Sequence, residues 1–126
     1  MFNQHDLIHR YGRKDALRDG VLVDATALAK ELGFRYGVAL TRAAWDTCVA
    51  IPDGVVGQDE TGRLWDVLHM LVSAIRRGAD ESEVSFRVHV RNDSRGGVPP
   101  AAPLVAVCGP GDEGEPVVTV MLPGES

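Results

Sequence analysis

The clearest pattern in this chain is a strict alternation of apolar and polar residues between positions 84 and 92, "VSFRVHVRN". A period of two is typical of a strand that has one face in the core and the other in water. Two shorter apolar runs, residues 104–108 and 117–122, follow at hairpin distances and are predicted to be further strands. The predicted apolar face of the first strand consists of Val84, Phe86, Val88 and Val90, and the polar face of Ser85, Arg87, His89 and Arg91.

Three segments have helical spacing instead. "TALAKEL", residues 26–32, follows a possible cap at Asp24 or Thr26 and should end at Gly33. A second short helix is predicted from Thr41, with Trp45 on its buried face. The strongest pattern covers residues 61–78 and predicts the central helix of the core. Its apolar stripe is Leu64, Leu68, Leu71 and Ile75, widened by Trp65 and Val72.

These elements predict an α+β fold, an antiparallel β-meander of three or four mostly C-terminal strands with the helices packed on one face. "VLVDA", residues 21–25, is predicted as a short strand or extended entry. A length of 126 residues fits one domain, so we expect residues 1–126 to form a single unit. We expect residues 1–12 to be a flexible N-terminal segment and residues 93–103, rich in glycine and proline, to be a loop.

Composition sets the class of protein without indicating a reaction. Hydrophobic residues make up 44% and charged residues 25%, which is typical of a folded globular chain. No stretch approaches the roughly 18 apolar residues that a membrane span requires, so we expect a cytoplasmic protein with no membrane partner. Cys48 and Cys108 lack C-x-x-C spacing, which predicts two buried free thiols.

The stretch "GPGDEG", residues 109–114, has the spacing of the glycine loop that binds dinucleotides. Such a loop must lead from a strand into a helix, whereas this one joins two predicted strands. Asp112, Glu113 and Glu115 would also repel a pyrophosphate, and the spacing does not match a calcium loop. We therefore interpret the stretch as a hairpin connection and expect no cofactor.

Histidine positions give no stronger sign of catalysis. His5 and His9 could share a helix face, but no third metal ligand is evident, so we expect no metal site. His69 is interpreted as a helix-packed residue and His89 as a surface residue of the alternating strand. The sequence contains neither a nucleophile elbow nor a P-loop lysine, and we expect a protein that is not an enzyme.

Charge is distributed unevenly along the chain, whose formal net charge is −5. Residues 1–45 carry seven Lys and Arg against five Asp and Glu, whereas residues 46–126 carry six against thirteen. This balance disfavours direct nucleic-acid binding. The acids form short clusters at the ends of predicted helices and strands. They either lie in solvated loops and cap helices, or they are contact points for a partner. The candidate partner-binding residues are Asp59, Glu60, Asp80, Glu81, Glu83, Asp112, Glu113 and Glu115.

The polar face of the predicted strand carries a basic strip, opposite in charge to the acidic clusters. Arg87, His89 and Arg91 alternate along one strand, and the strip is interpreted as a solvated face or as a site for an acidic partner.

Three longer blocks resemble a small family carried by phages, plasmids and other mobile elements of bacteria. They are "GVLVDATALAKELGFRYGVALTRAAWDTCVA", "GRLWDVLHMLVSAIRRG" and "GPGDEGEPVVTVMLPGE", which together cover more than half of the chain. In that setting the chain is similar to small anti-CRISPR proteins that inhibit type I-C surveillance complexes, some of which are acidic and resemble DNA. The resemblance supplies no catalytic residue.

The resemblance implies a non-enzymatic inhibitor that binds the proteins of the crRNA-guided surveillance complex (Cascade) and blocks target DNA binding through an acidic, DNA-mimicking surface. We expect it to act as a monomer. The alternative is a regulatory or accessory protein of a mobile element that binds another host protein, for which the basic strip is the available surface.

Overall fold

A computed structural model of the chain describes residues 11–78, 81–93 and 96–125. Within these ranges the chain forms helices and strands in an order that mixes the two types from the beginning. The helices are α1 (Arg13–Asp19), α2 (Thr26–Glu31), α3 (Arg42–Cys48) and α4 (Glu60–Arg77). The strands are β1 (Leu22–Asp24), β2 (Val38–Thr41), β3 (Glu83–His89), β4 (Ala101–Pro110) and β5 (Pro116–Met121).

All five strands form one mixed sheet in the order β1-β2-β5-β4-β3. The α+β class is confirmed, and β3, β4 and β5 pair antiparallel as predicted. The prediction of an antiparallel meander of three or four strands is wrong, because the sheet has five strands and β2 pairs parallel with β5, although three of the five lie in the C-terminal half as expected. The first three residues of β2 are all buried, so the strand has no alternation of apolar and polar residues from which it could be predicted.

One face of the sheet carries the main core. The alternate residues Val118 and Val120 of β5 point to this face and pack with Leu68 and Leu71 of α4. The predicted central helix is therefore confirmed. A residue with a short acidic side chain caps its first turn, as is favoured at helix N-termini. Asp59 is the N-cap residue, and its Oδ1 accepts a hydrogen bond from the Gly62 N–H at 2.6 Å.

The two tryptophans and one histidine deviate from their predicted burial. Trp45 and Trp65 are only half-buried, and Trp45 packs against the main core. The prediction that His69 is packed inside the helix layer is wrong, because His69 lies on the exposed side of α4. Its ring contacts that of Trp65 instead, with the ring centroids 4.8 Å apart and the planes tilted by 41°.

The second face of the sheet is covered by α1, so the expectation that all helices pack on one face is wrong. Ala16 of α1, Ala39 of β2 and Val117 of β5 are buried, yet none of them belongs to the main core. They form a smaller apolar layer beneath α1. Along β3, Ser85, Arg87 and His89 are exposed, which confirms that one face of this strand meets water.

The predicted loop over residues 93–103 is wrong at its C-terminal end, since β4 begins at Ala101 and contains Pro103. The Cys108 N–H donates to the Ser82 carbonyl, on the side of β4 that pairs with β3. Because the N–H groups of successive residues in a strand point to opposite sides, the nitrogen of Pro103 lies on the side away from β3. On that side β5 ends at Met121, opposite Val105, so the missing N–H of Pro103 interrupts no ladder bond.

The two cysteines lie in different environments. Both thiols are free, and Cys48 is buried as predicted. The prediction that Cys108 is buried is wrong, because it lies exposed on β4 just before the turn into β5.

Candidate functional site: an acidic end of the sheet

Sheet topology collects most of the candidate acids at one end. Glu83 at the start of β3 pairs with Val107 near the end of β4, and the turn to β5 follows immediately. Asp24, at the end of β1, lines the same cleft as the acids of that turn. We call this region the acidic end, and it consists of Asp24, Glu81, Glu83, Asp112, Glu113 and Glu115.

The turn between β4 and β5 confirms the hairpin interpretation of "GPGDEG". The Gly111 N–H donates to the Glu115 carbonyl at 2.6 Å, and the Gly114 N–H donates to the Gly111 carbonyl at 3.1 Å. Gly114 has a φ of 82°, a conformation that favours glycine. The Glu113 N–H donates to Glu115 Oε1 at 3.0 Å. A strand follows the turn, so the helix that a dinucleotide loop requires is replaced by β5.

Asp112 holds this turn against the first helix. Its Oδ1 accepts the Arg13 N–H at 2.7 Å and its Oδ2 accepts the Lys14 N–H at 2.9 Å, so one carboxylate satisfies two N–H groups of the first turn of α1. The N-cap residue of α1 is Gly12, which has no side chain with which to cap the helix. A Cβ at Gly12 would lie 2.8 Å from both Asp112 carboxylate oxygens. We call this contact the Asp112 clamp.

Arg13 anchors α1 to the sheet through its side chain. Its Nη1 donates to Thr119 Oγ1 at 2.6 Å and its Nη2 donates to the Val118 carbonyl at 2.8 Å. Burial lowers the pKa of the Arg13 guanidinium, and the nearby charges of Asp24, Asp112 and Glu115 oppose that shift. Arg13 thus keeps a positive charge beside these acids, while its side chain holds α1 on β5.

A cleft of about 320 Å³ lies between α1 and the turn. Its charged walls are four carboxylates and two basic residues, so the cleft has an excess of negative charge. These charged residues are Asp24, Asp112, Glu113, Glu115, Arg13 and Lys14. Within the described ranges, no group of three or more His, Cys, Asp or Glu side chains is placed to hold a metal ion.

Three carboxylates of the acidic end are left to contact a partner. Glu81, Glu83 and Glu113 are exposed, and within the described part of the chain none of them caps a helix or closes a turn through its side chain. Asp112 and Glu115, in contrast, are used by the fold. The sequence did not predict that Arg13, Lys14 and Asp24 belong to this site, since no local pattern indicates that they meet a turn distant along the chain.

The remaining candidate acids do not join this cluster. Asp59 and Glu60 lie at the start of α4, a helix of 18 residues and therefore about 27 Å long. The end of that helix lies near β3, since a Cβ at Gly78 would lie 3.0 Å from Val84 Cγ1. Asp59 is occupied as a cap, whereas Glu60 is exposed. Asp80, and likewise His5 and His9, lie outside the described residues.

The basic strip is partly tied to the segment that follows it. His89 Nδ1 lies 2.8 Å from the Pro99 carbonyl oxygen, so this nitrogen carries a proton that it donates. The Arg91 guanidinium donates to the Gly97 carbonyl. Arg87 is the exposed cation of the strip, opposite Pro103 on β4.

Fold and site together define a small α+β protein with exposed carboxylates grouped at one end of its sheet. The chain belongs to the Family of unknown function (DUF6573), which it matches over residues 1–126. No curated protein and no solved structure matches it. None of the helices in the described ranges is both long and apolar enough to cross a membrane.

Proposed function

We propose that this chain is a non-enzymatic binding protein that occupies a basic, DNA-binding surface of a protein partner with its acidic end. The partner that the sequence resemblance implies is the type I CRISPR surveillance complex, whose engagement of target DNA the chain would block. The observation that carries the proposal is the placement of exposed carboxylates at one end of the sheet, beside a net acidic cleft.

The electrostatic basis is competition for a channel lined by Lys and Arg. Duplex DNA presents about one negative charge per 1.7 Å of its axis, and an RNA-guided complex contacts the backbone of the nucleic acid it holds. Glu81, Glu83 and Glu113 are the carboxylates available for such contacts. Charge complementarity of this kind accelerates encounter and fixes orientation.

The anchoring of the turn in the acidic end favours this use. The Asp112 clamp ties the turn to α1, and Arg13 ties α1 to β5. A turn that is already ordered loses less conformational entropy when it binds. The contact we propose is local, because Asp59 and Glu60 lie at the start of an 18-residue helix, about 27 Å long, whose other end lies near β3.

The alternative, a regulatory or accessory protein of a mobile element that binds another host protein, is favoured by the uncovered part of the sheet. Arg87 and His89 are exposed there, opposite Pro103 and half-buried Ala101 of β4, and half-buried Val105 lies one pair further along, opposite Ser85. A partner with acidic groups around an apolar centre would match this surface.

A phage-plating assay on a host with an active type I-C system tests the proposal. We expect expression of the chain to restore plating, and the purified chain to reduce target-DNA binding by the surveillance complex in a gel-shift assay. Restored plating without any loss of DNA binding would contradict the acidic-competitor mechanism. Failure in both assays, together with capture of a different host protein through Arg87, would favour the alternative.

A further inference from the structure

Arg63, near the start of α4, is a buried cation. Only 6% of its surface is exposed, and it is the single buried charged or polar residue among those that the structure describes. Its Nε donates to the Cys48 carbonyl at 3.1 Å and its Nη1 to the Arg91 carbonyl at 3.2 Å. Its Nη2 donates to Asn92 Oδ1 at 2.7 Å and to the Thr47 carbonyl at 3.5 Å. Arg63 thereby joins the end of α3 to the chain that follows β3.

The charge of Arg63 is not neutralised by these contacts, because every acceptor is neutral. Among the described residues, no carboxylate forms an ion pair with its guanidinium. The Cys48 thiol cannot act as the counter-ion, since burial raises its pKa to about 11 and keeps it protonated at neutral pH. Burial also lowers the pKa of Arg63, while Cys48 and then Glu60 oppose that shift. A buried charge without a counter-charge is unfavourable.

A cavity of about 160 Å³ lies against this guanidinium, with Gln58 and Arg91 among the groups that line it. Asp66, which is exposed, also lines the cavity. A guanidinium has five N–H donors, and the four protein contacts leave one N–H of Nη1 without an acceptor in the described chain.

The cavity's size limits what it can hold. At about 30 Å³ per water, the cavity has room for roughly five water-sized groups. Its volume is smaller than that of the pockets of ~300 Å³ and more that bind organic ligands. A single small oxyanion fits within that volume.

We propose that this cavity binds a small oxyanion, a phosphate or carboxylate group, with Arg63 as its buried charge partner and Arg91 as its second cation. The planar guanidinium is suited to both anions, since its N–H groups match the oxygen spacing of carboxylates and phosphates. The site is separate from the acidic end and independent of its proposed role. It couples the anion to the junction of α3, α4 and β3, because Arg63 holds all three.

A titration with inorganic phosphate tests the site, with sodium chloride used to keep the ionic strength constant. NMR resonances of the arginine Nε–H groups report on Arg63 directly, and calorimetry gives the affinity. Parallel titrations with sulfate and acetate distinguish a tetrahedral oxyanion from a carboxylate as the preferred occupant. We expect saturable shifts of the Arg63 resonance in the unmodified protein with phosphate or with acetate.

Three variants make the test specific. Arg91→Gln and Arg63→Lys should each weaken binding by at least about tenfold, the factor expected when a charged hydrogen bond is lost. Arg87→Gln removes the same charge from the exposed side of β3 and should leave the affinity unchanged. If Arg63→Lys does not fold, Arg91→Gln and the Arg63 resonance carry the test. No saturable response to any of the three anions, or equal weakening by Arg87→Gln, would overturn the proposal.

Discussion

The two faces of the sheet are stabilised in different ways. On one face, α2, α3 and α4 bury a continuous apolar core in which Leu68, Leu71 and Val120 are fully inaccessible. On the other face, α1 covers a small apolar layer and is held by Arg13 and by the Asp112 clamp. Apolar burial therefore builds the body of the molecule, whereas polar contacts between distant parts of the chain shape its acidic end.

Loss of core volume on the first face should have the largest effect. Leu68→Ala removes a fully buried side chain and should lower the free energy of unfolding by ~2 to 5 kcal/mol, measured by urea denaturation. Met70→Ala is the matched control, because Met70 lies on the same helix but is 39% exposed. Equal midpoints for Leu68→Ala and the parent would mean that α4 does not carry the core.

The Asp112 clamp should contribute less, and its effect should be local. Asp112→Ala leaves the Arg13 and Lys14 N–H groups without their carboxylate and should cost about 1 kcal/mol, typical of a lost helix cap. Hydrogen exchange should become faster in α1 and stay unchanged in α4. The control is Glu113→Ala, whose exposed side chain lies next to Asp112 in the same turn. If exchange in α1 were the same in both variants, the clamp would have no energetic role.

Gly12→Ala tests the same contact from the helix side. The added Cβ would lie 2.8 Å from the Asp112 carboxylate oxygens, so the carboxylate must move and its hydrogen bonds to α1 are disturbed. We expect faster exchange in α1, similar to that of Asp112→Ala. Gly109→Ala introduces a methyl group that meets no atom within 4 Å beyond its own chain neighbours, and it should leave α1 unaffected. Unchanged exchange in Gly12→Ala would show that the turn shifts without loosening the helix.

The contrast between the faces also explains what the sequence could predict. The stripe of Leu64, Leu68 and Leu71 and the alternation along β3 are local patterns, and both predicted real elements. α1 has seven residues and one buried side chain, too little periodicity to detect. The contact between Arg13 and Asp112 joins residues 99 positions apart, and no local rule predicts it. The acids were therefore found as clusters, but their grouping at one end required the topology.

The two thiols report on the same difference between interior and surface. Burial raises the pKa of Cys48 to about 11, whereas Cys108 is exposed. Because the thiolate is the reactive form, iodoacetamide near pH 8 should modify Cys108 alone in the folded protein, as read by mass spectrometry. Modification of Cys48 at a similar rate in the absence of denaturant would contradict its placement in the core.

The raised pKa also predicts a small loss of stability at high pH. In the unfolded chain the thiol ionises near its ordinary value of 9.0, whereas in the folded chain it keeps its proton up to about 11. The folded state then binds more protons, so the contribution of Cys48 is present below pH 9 and is lost as the pH rises towards 11. Denaturation at pH 8 and pH 10 should show a decline that is smaller in Cys48→Ala. An identical decline in both proteins would contradict the shift.

Charge reversal at the acidic end should have the smallest effect on folding, and it tests the central claim most directly. Glu83→Lys/Glu113→Lys changes two exposed carboxylates there, and Asp53→Lys/Glu60→Lys makes the same change outside the acidic end. Both should alter stability by less than ~0.5 kcal/mol per site. The measurement is the affinity of each variant for the purified surveillance complex, with target DNA as competitor and at two salt concentrations.

We predict that the parent binds, that its affinity falls as salt rises, and that Glu83→Lys/Glu113→Lys weakens binding by at least about tenfold, while Asp53→Lys/Glu60→Lys binds as the parent does. Equal affinities for the parent and for folded Glu83→Lys/Glu113→Lys, at both salt concentrations, would contradict the account.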